Sequence, residues 1–217
     1  MAVDTFSFIL LSFTSVFVII NPMGAGIIYV SMTDSFDHET RRRVALEACW
    51  TAFVILVIFA LLGGVILQLF GITLAAFRIG GGILLFLIGL DMVFAKVSRA
   101  KMTATEKYEG DADDVSVMPL AIPMIAGPGT ITTVIVLIAR GEAELGLGSY
   151  AVVIAAIAFT VGITGLVMLN AERVASRIGQ REFRAVNRIM GILMVAIAVE
   201  FVINGLKTAF PLLAGVT

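Results

Sequence analysis

The chain is 217 residues long, 59% hydrophobic and only 14% charged, with a mean hydropathy of +1.05. Soluble domains are roughly 45–50% apolar and roughly 25% charged, so this composition excludes a water-soluble globule and points to lipid as the solvent. The formal net charge of −1 leaves no basic footprint for nucleic acid, and no nucleic-acid partner is expected.

A helix needs about 20 apolar residues to cross the hydrocarbon core. Six segments meet that length: 6–32, 44–69, 74–97, 116–139, 148–170 and 188–210. The first starts at Phe6 with no Lys or Arg before it and outruns the apolar core of a signal peptide, so it reads as a retained span. Asn21-Pro22-Met23-Gly24 interrupts it. Proline removes a backbone N–H and frees a carbonyl of the preceding turn. In hydrocarbon such groups cost several kcal/mol if unsatisfied, so the break must face protein or a wet cavity. The connection DSFDHETRRR at 34–43 follows and holds His38, the one histidine, read as solvated. No histidine is therefore available for catalysis within the bilayer.

The second span carries Cys49, the one cysteine, which rules out an internal disulfide and reads as a small buried apolar residue. No metal and no cofactor is expected. In the third span Gly80, Gly81 and Gly82 invite close helix packing. Arg78, near its start, reads as an interfacial anchor, and Asp91 lies in its last third.

After a polar stretch at 98–115, the fourth span contains Ile122-Pro123-Met124-Ile125-Ala126-Gly127-Pro128-Gly129-Thr130, two prolines and two glycines that cannot sustain a continuous helix. Helices restarting at Gly24 and Gly129 would present free N–H groups suited to a carboxylate. The exposed carbonyls before them would suit a cation or an ammonium, and an amino acid zwitterion needs both. The hydroxyls of Thr130, Thr132 and Thr133 either reach a ligand or bond back to the carbonyl one turn earlier. In the sixth span Glu200 lies deep, with Asn204 one turn further on the same face. Charges at mid-bilayer cost about 2.5–3.5 kcal/mol on insertion scales and face the bundle interior or water. Glu200 and Asp91, with Asn204, are thus the candidates for a proton or cation site, and structural pairing, of Asp91 with Lys96 for example, is the alternative.

The chain also echoes itself. GILLFLIGLDM at 82–92 returns as GILMVAIAVEF at 191–201, with Asp91 recurring as Glu200, and INPMG at 20–24 is echoed by AGPGT at 126–130, with Pro22 against Pro128. Twelve of the fifteen basic residues fall on one side of a six-span arrangement, which leaves Arg78, Arg140 and Lys207 on the other. The basic side is expected to be cytoplasmic, with both termini outside. Three spans per half invert the second copy relative to the first, the architecture of several transporter folds. The expected fold is all-α: six transmembrane helices as two inverted three-helix repeats, helices 1 and 4 broken. Residues 1–97 form the first repeat, 98–115 a cytoplasmic linker and 116–217 the second repeat. A short amphipathic helix at 177–188 and an ordinary charged loop are both open readings there.

INPMG at 20–24, FRIGGGILLFLIGLDM at 77–92, PLAIPMIAGPGTITTVI at 119–135 and NRIMGILMVAIAVEFVINGL at 187–206 resemble the MarC family of integral membrane proteins, which includes SnatA-type neutral amino acid transporters. The resemblance implies a six-span protein of the prokaryotic plasma membrane, related in fold to LysE-type exporters. It also implies transport of small neutral amino acids such as alanine and glycine, driven by an ion gradient. Many members carry an acid where this chain has Asn21, and a further proline and aromatic where Gly24-Ala25-Gly26-Ile27-Ile28-Tyr29 stands here.

The function expected is secondary active transport and not enzymatic. A small neutral amino acid binds around Asn21, Pro22, Gly24, Gly127, Pro128, Gly129 and Thr130, and H+ or Na+ couples at Glu200 and Asp91. A passive channel is the first alternative, disfavoured by the lack of a charge ring or filter-like repeat. An intramembrane enzyme using an Asp91/Glu200 pair is the second. Small-residue helix faces leave room for a homo-oligomer.

Overall fold

The computed structural model describes residues 5–94, 115–171 and 180–210. Among these the regular elements are eight helices: α1 (Thr5–Ile20), α2 (Pro22–Thr33), α3 (His38–Leu69), α4 (Leu74–Val93), α5 (Ser116–Ile125), α6 (Pro128–Leu145), α7 (Gly148–Leu169) and α8 (Gln180–Ala209). Five helical stretches, α1–α2 counted as one, are long and apolar enough to cross a membrane, and the bent pair α5–α6 makes a sixth if it is one span. The linker at 98–115 lies almost wholly outside the described residues, as does Lys96 and with it the pairing suggested for Asp91.

Two helices outrun their expected bounds. α3 begins at His38, its first residue and exposed, and α8 begins at Gln180, so the polar HETRRR and QREFRAVN stretches are helix where loop or a separate amphipathic helix was expected. Hydropathy reveals only the buried length of a helix. At 1.5 Å per residue the 32 residues of α3 reach about 48 Å, well beyond a hydrocarbon core of about 30 Å. Arg41 stops α2 at its other end: its guanidinium donates to the carbonyls of Thr33, Asp34 and Phe36 at 2.7, 2.7 and 3.0 Å. A cation belongs there, against the free carbonyls of a helix C-terminus.

The helices are apolar all round, and size separates their faces. On α3 the inward positions are Ala45, Ala48, Ala52, Leu56, Ala60, Gly63 and Leu67, while Trp50, Ile58, Leu62 and Leu69 point outward. Lipid solvates large side chains as well as protein does, so small residues are spent where backbones approach. α7 sits against α1, α2, α3 and α6 and centres the larger cluster of buried side chains.

The most extensive helix pair is α4 with α8. Its inward positions are Gly82, Leu85, Gly89 and Met92 on one helix and Gly191, Met194, Ala198, Phe201 and Gly205 on the other. Spacings of three and four residues make one seam on each. A Cβ at Gly82 would lie 2.8 Å from the carbonyl oxygen of Ala198, and one at Gly205 would lie 3.0 Å from that of Ala75. The two helices are therefore antiparallel and touch backbone to backbone. The pair docks on the rest of the bundle chiefly through α6, where Gly81 abuts Thr132 and Gly129 abuts Leu85.

Candidate functional site

Pro22 and Pro128 occupy the first turns of α2 and α6, where the missing N–H costs no hydrogen bond and the fixed φ suits a helix start. The helices thus restart at the prolines, not at Gly24 and Gly129 as expected from sequence. The first break is mild. Asn21 N–H still reaches the Phe17 carbonyl and Ala25 N–H the Asn21 carbonyl, both at 3.0 Å. Asn21 itself turns left-handed at φ 51°, ψ 70°, and its Oδ1 accepts from Gly24 N–H at 3.3 Å. Asparagine tolerates this conformation better than other side chains that are not glycine, and it caps its own helix. The Gly24 N–H anticipated as free is therefore taken. The Asn21 Nδ2 donates to Asn187 Oδ1 on α8 at 3.0 Å, which ties the first break to the last helix.

The second break is severe. Met118 and Ile122 leave helical geometry for φ/ψ of −125°/121° and −127°/127°. Each precedes a proline, whose ring drives the residue before it into the extended region. α5 and α6 meet at 51°. Gly127 caps α6 with no side chain, so Gly129 and Thr130 at the second and third helical positions have no capping group from it. A side chain at Gly127 would collide with the Pro123 carbonyl. Gly127, Gly129 and Thr130 are buried, whereas Pro128 is exposed. The hydroxyls of Thr132 and Thr133 bond back to the carbonyls of Pro128 and Gly129, each at 2.8 Å.

The two breaks are neighbours. A Cβ on Gly129 would lie 2.5 Å from Leu85 Cδ2 and 3.8 Å from Ile19 Cγ2. Ile19 immediately precedes the turn at Asn21, and Leu85 stands near the middle of α4.

The acids lie elsewhere and apart. Glu200 is exposed and accepts from Asn204 Nδ2 at 2.8 Å, as their shared helix face anticipated. Asp91 is half-buried near the other end of the α4–α8 pair. Since Gly82 faces Ala198, Glu200 stands level with Gly80, roughly 16 Å along the axis from Asp91 at 1.5 Å per residue. The structure does not bring this pair together.

Glu200 and Asn204 line a cavity of about 500 Å³ together with Ser15, Arg78 and Arg140. Arg78, expected as an interfacial anchor, faces this cavity, and Arg140 was not singled out at all. The sequence signal was their being two of only three basic residues on the sparsely charged side. Nothing in the sequence marked Asn187 as the partner of Asn21.

Helices of this length and apolarity, two of them interrupted inside the bundle, define a multi-pass α-helical membrane protein. Residues 6–210 match the family described as MarC family integral membrane protein, and the chain belongs to that family. It is 43% identical over 206 residues to a UPF0056 membrane protein of Methanocaldococcus jannaschii, covering 93% of this chain and 97% of that one. The UPF0056 membrane protein YvbG of Bacillus subtilis is 36% identical over 210 residues, 96% of this chain and 98% of its own. YhcE of Escherichia coli, of the same description, is 36% identical over 200 residues, 92% of each chain. No solved structure matches the chain.

Proposed function

We propose that the protein is a secondary active transporter of small neutral amino acids, of the alanine or glycine type, driven by a proton or sodium gradient across a prokaryotic plasma membrane. The observation that carries this reading is the meeting of the two breaks, Gly129 of α6 against Ile19 of α1, in the interior of the bundle. Discontinuous helices of a transporter converge in this way on the substrate, near the bilayer midplane. The uncapped start of α6 at Gly127–Thr130 offers N–H groups to a carboxylate. Asn21, Pro22 and Gly24, tied to Asn187, form the facing wall, with the amide of Asn21 as its polar group. Glu200 with Asn204 takes the coupling cation at one end, and Asp91, its echo in the other half, stands at the opposite end.

An inverted repeat accounts for alternation between the two sides. The reading is supported by the inward seam of α4 at 82, 85, 89 and 92 recurring on α8 at 191, 194, 198 and 201, which are the echoed positions. The basic loops then lie in the cytoplasm and both termini outside. Purified protein in liposomes, given labelled alanine or glycine with an imposed pH or sodium gradient, is expected to accumulate the amino acid. Absence of gradient-dependent accumulation of any amino acid overturns the proposal.

A further inference from the structure

Two arginines lining one half-open cavity need a counter-charge, and the chain supplies only part of it. Arg78 comes from the first turns of α4 and Arg140 from the last turns of α6, so antiparallel packing of these helices brings both to the same end of the bundle. Glu200, Asn204 and Ser15 complete the polar lining. Among the described residues no ion pair joins Glu200 to either arginine. The Nε of Arg78 is buried and has no acceptor there. A snorkelling anchor would carry its guanidinium out to the headgroups, where every donor finds water or phosphate. Arg78 is half-buried and lines the cavity, and its one buried, unpartnered N–H calls for a different explanation. The cavity, at about 500 Å³, is of the size that holds small ligands.

We infer that Arg78 and Arg140 form a carboxylate-binding vestibule, about 10 Å along the helix axes from the breaks (Val136 also lines it, two turns beyond Gly129), which captures the substrate by its α-carboxylate before it reaches them. This rests on the transporter reading above. The planar guanidinium fork matches a carboxylate with two parallel hydrogen bonds. Glu200 on the facing wall disfavours multiply charged anions, so the ligand class is a monocarboxylate with a neutral or zwitterionic remainder. It also couples the site to the driving ion. A cation bound at Glu200 removes the negative charge opposing the carboxylate, and by linkage the bound carboxylate tightens the cation by the same factor.

The test uses full-length protein in liposomes and labelled alanine. Arg78→Gln and Arg140→Gln are each expected to raise the KM for alanine about tenfold or more, as loss of one charge-assisted hydrogen bond requires. Alaninamide, which keeps the ammonium and lacks the carboxylate, is expected not to compete with alanine in the wild-type protein. Unchanged KM in both folded variants overturns the vestibule and leaves the transporter reading standing, whereas alaninamide competing as well as alanine overturns both the vestibule and the carboxylate site at the start of α6. The amide competition needs no variant, so the vestibule can still be overturned if the Gln substitutions prevent folding. Should the wild-type protein carry no amino acid, the transporter reading fails by itself. The vestibule is then judged by equilibrium binding of labelled lactate to purified protein: saturable binding lost in the Gln variants supports it, and no saturable binding by wild type overturns it.

Discussion

Gly89 and Gly191 face each other across the α4–α8 seam, each occupying the space the other's Cβ would need. A Cβ on Gly89 would stand 3.0 Å from the Gly191 carbonyl oxygen, and one on Gly191 would stand 2.9 Å from that of Gly89. The echo in the sequence maps Gly82 onto Gly191 and Gly89 onto Ala198, and Gly82 in turn faces Ala198. A contact and its image exchange partners, a local two-fold relation within the antiparallel pair.

This seam should tolerate no bulk. Gly89→Leu and Gly191→Leu force the two backbones apart, at a cost of about 1–3 kcal/mol for an overpacked site. Gly80, on the same helix, has nothing within 4 Å of its Cβ position. Gly80→Leu is therefore expected to leave stability within about 0.5 kcal/mol of wild type. Thermal denaturation in detergent, followed by monodispersity, reads the difference. Equal losses at positions 80 and 89 would show that bulk is resisted along the whole helix and not at the seam.

A second close approach joins the α4–α8 pair to the rest. Gly81 sits directly on the Thr132 side chain, closer than a methyl group could come. Gly81→Ala should destabilise by about 1–3 kcal/mol. Thr132→Ala in the same chain removes the methyl and hydroxyl in the way and should recover part of the loss. Neighbouring sites of this kind show non-additive energies, and a double-mutant cycle reports the coupling. Additive effects would place Gly81 elsewhere than against Thr132.

Much of this was legible from the chain because lipid writes a simple code. The apolar lengths marked the five long apolar stretches and the bent pair α5–α6, the two proline-glycine interruptions marked the breaks, and the echo of 82–92 at 191–201 marked the matched seams of α4 and α8. Hydropathy missed the ends of α3 and α8, since a helix that leaves the bilayer through HETRRR or QREFRAVN changes its solvent and keeps its hydrogen bonds. The restart residues were displaced because glycine drew attention as the flexible position, while proline at the first helical turn is the stronger start signal. The meetings of Asn187 with Asn21 and of Arg140 with Arg78 were not legible, for another reason. The partners lie far apart in sequence, and no local pattern encodes such a meeting.

Asn21 combines a left-handed backbone with a cap, and substitutions should separate the two. Asn21→Ala loses the tolerance of positive φ, the bond to Gly24 N–H and the bond to Asn187, at a cost of about 1–3 kcal/mol or more. Asn21→Gly keeps the conformation and should cost a few tenths of a kcal/mol as a cap plus the lost bond to Asn187. Asn187→Ala removes only the amide bond between helices, worth about 0.6–1.7 kcal/mol inside a membrane. Chemical denaturation in mild detergent ranks the three. An Asn21→Gly variant as damaged as Asn21→Ala would mean that the side chain, and not the backbone, sets the cost.

Glu200 separates coupling from passage. If it carries the driving cation, Glu200→Gln fixes the cavity in its neutralised state. Arg78 and Arg140 then keep their hold on the carboxylate while the gradient loses its handle. Exchange of labelled for unlabelled alanine across liposomes of equal pH and sodium should continue at near wild-type rates. Accumulation driven by either gradient should fall by about tenfold or more, since a coupling free energy of 1–3 kcal/mol corresponds to a factor of 5–150. Asp91→Asn, roughly 16 Å away along α4, should leave the apparent affinity for the external cation unchanged. Accumulation surviving in Glu200→Gln would move the coupling site off α8. Loss of exchange together with accumulation would make Glu200 a group needed for passage itself.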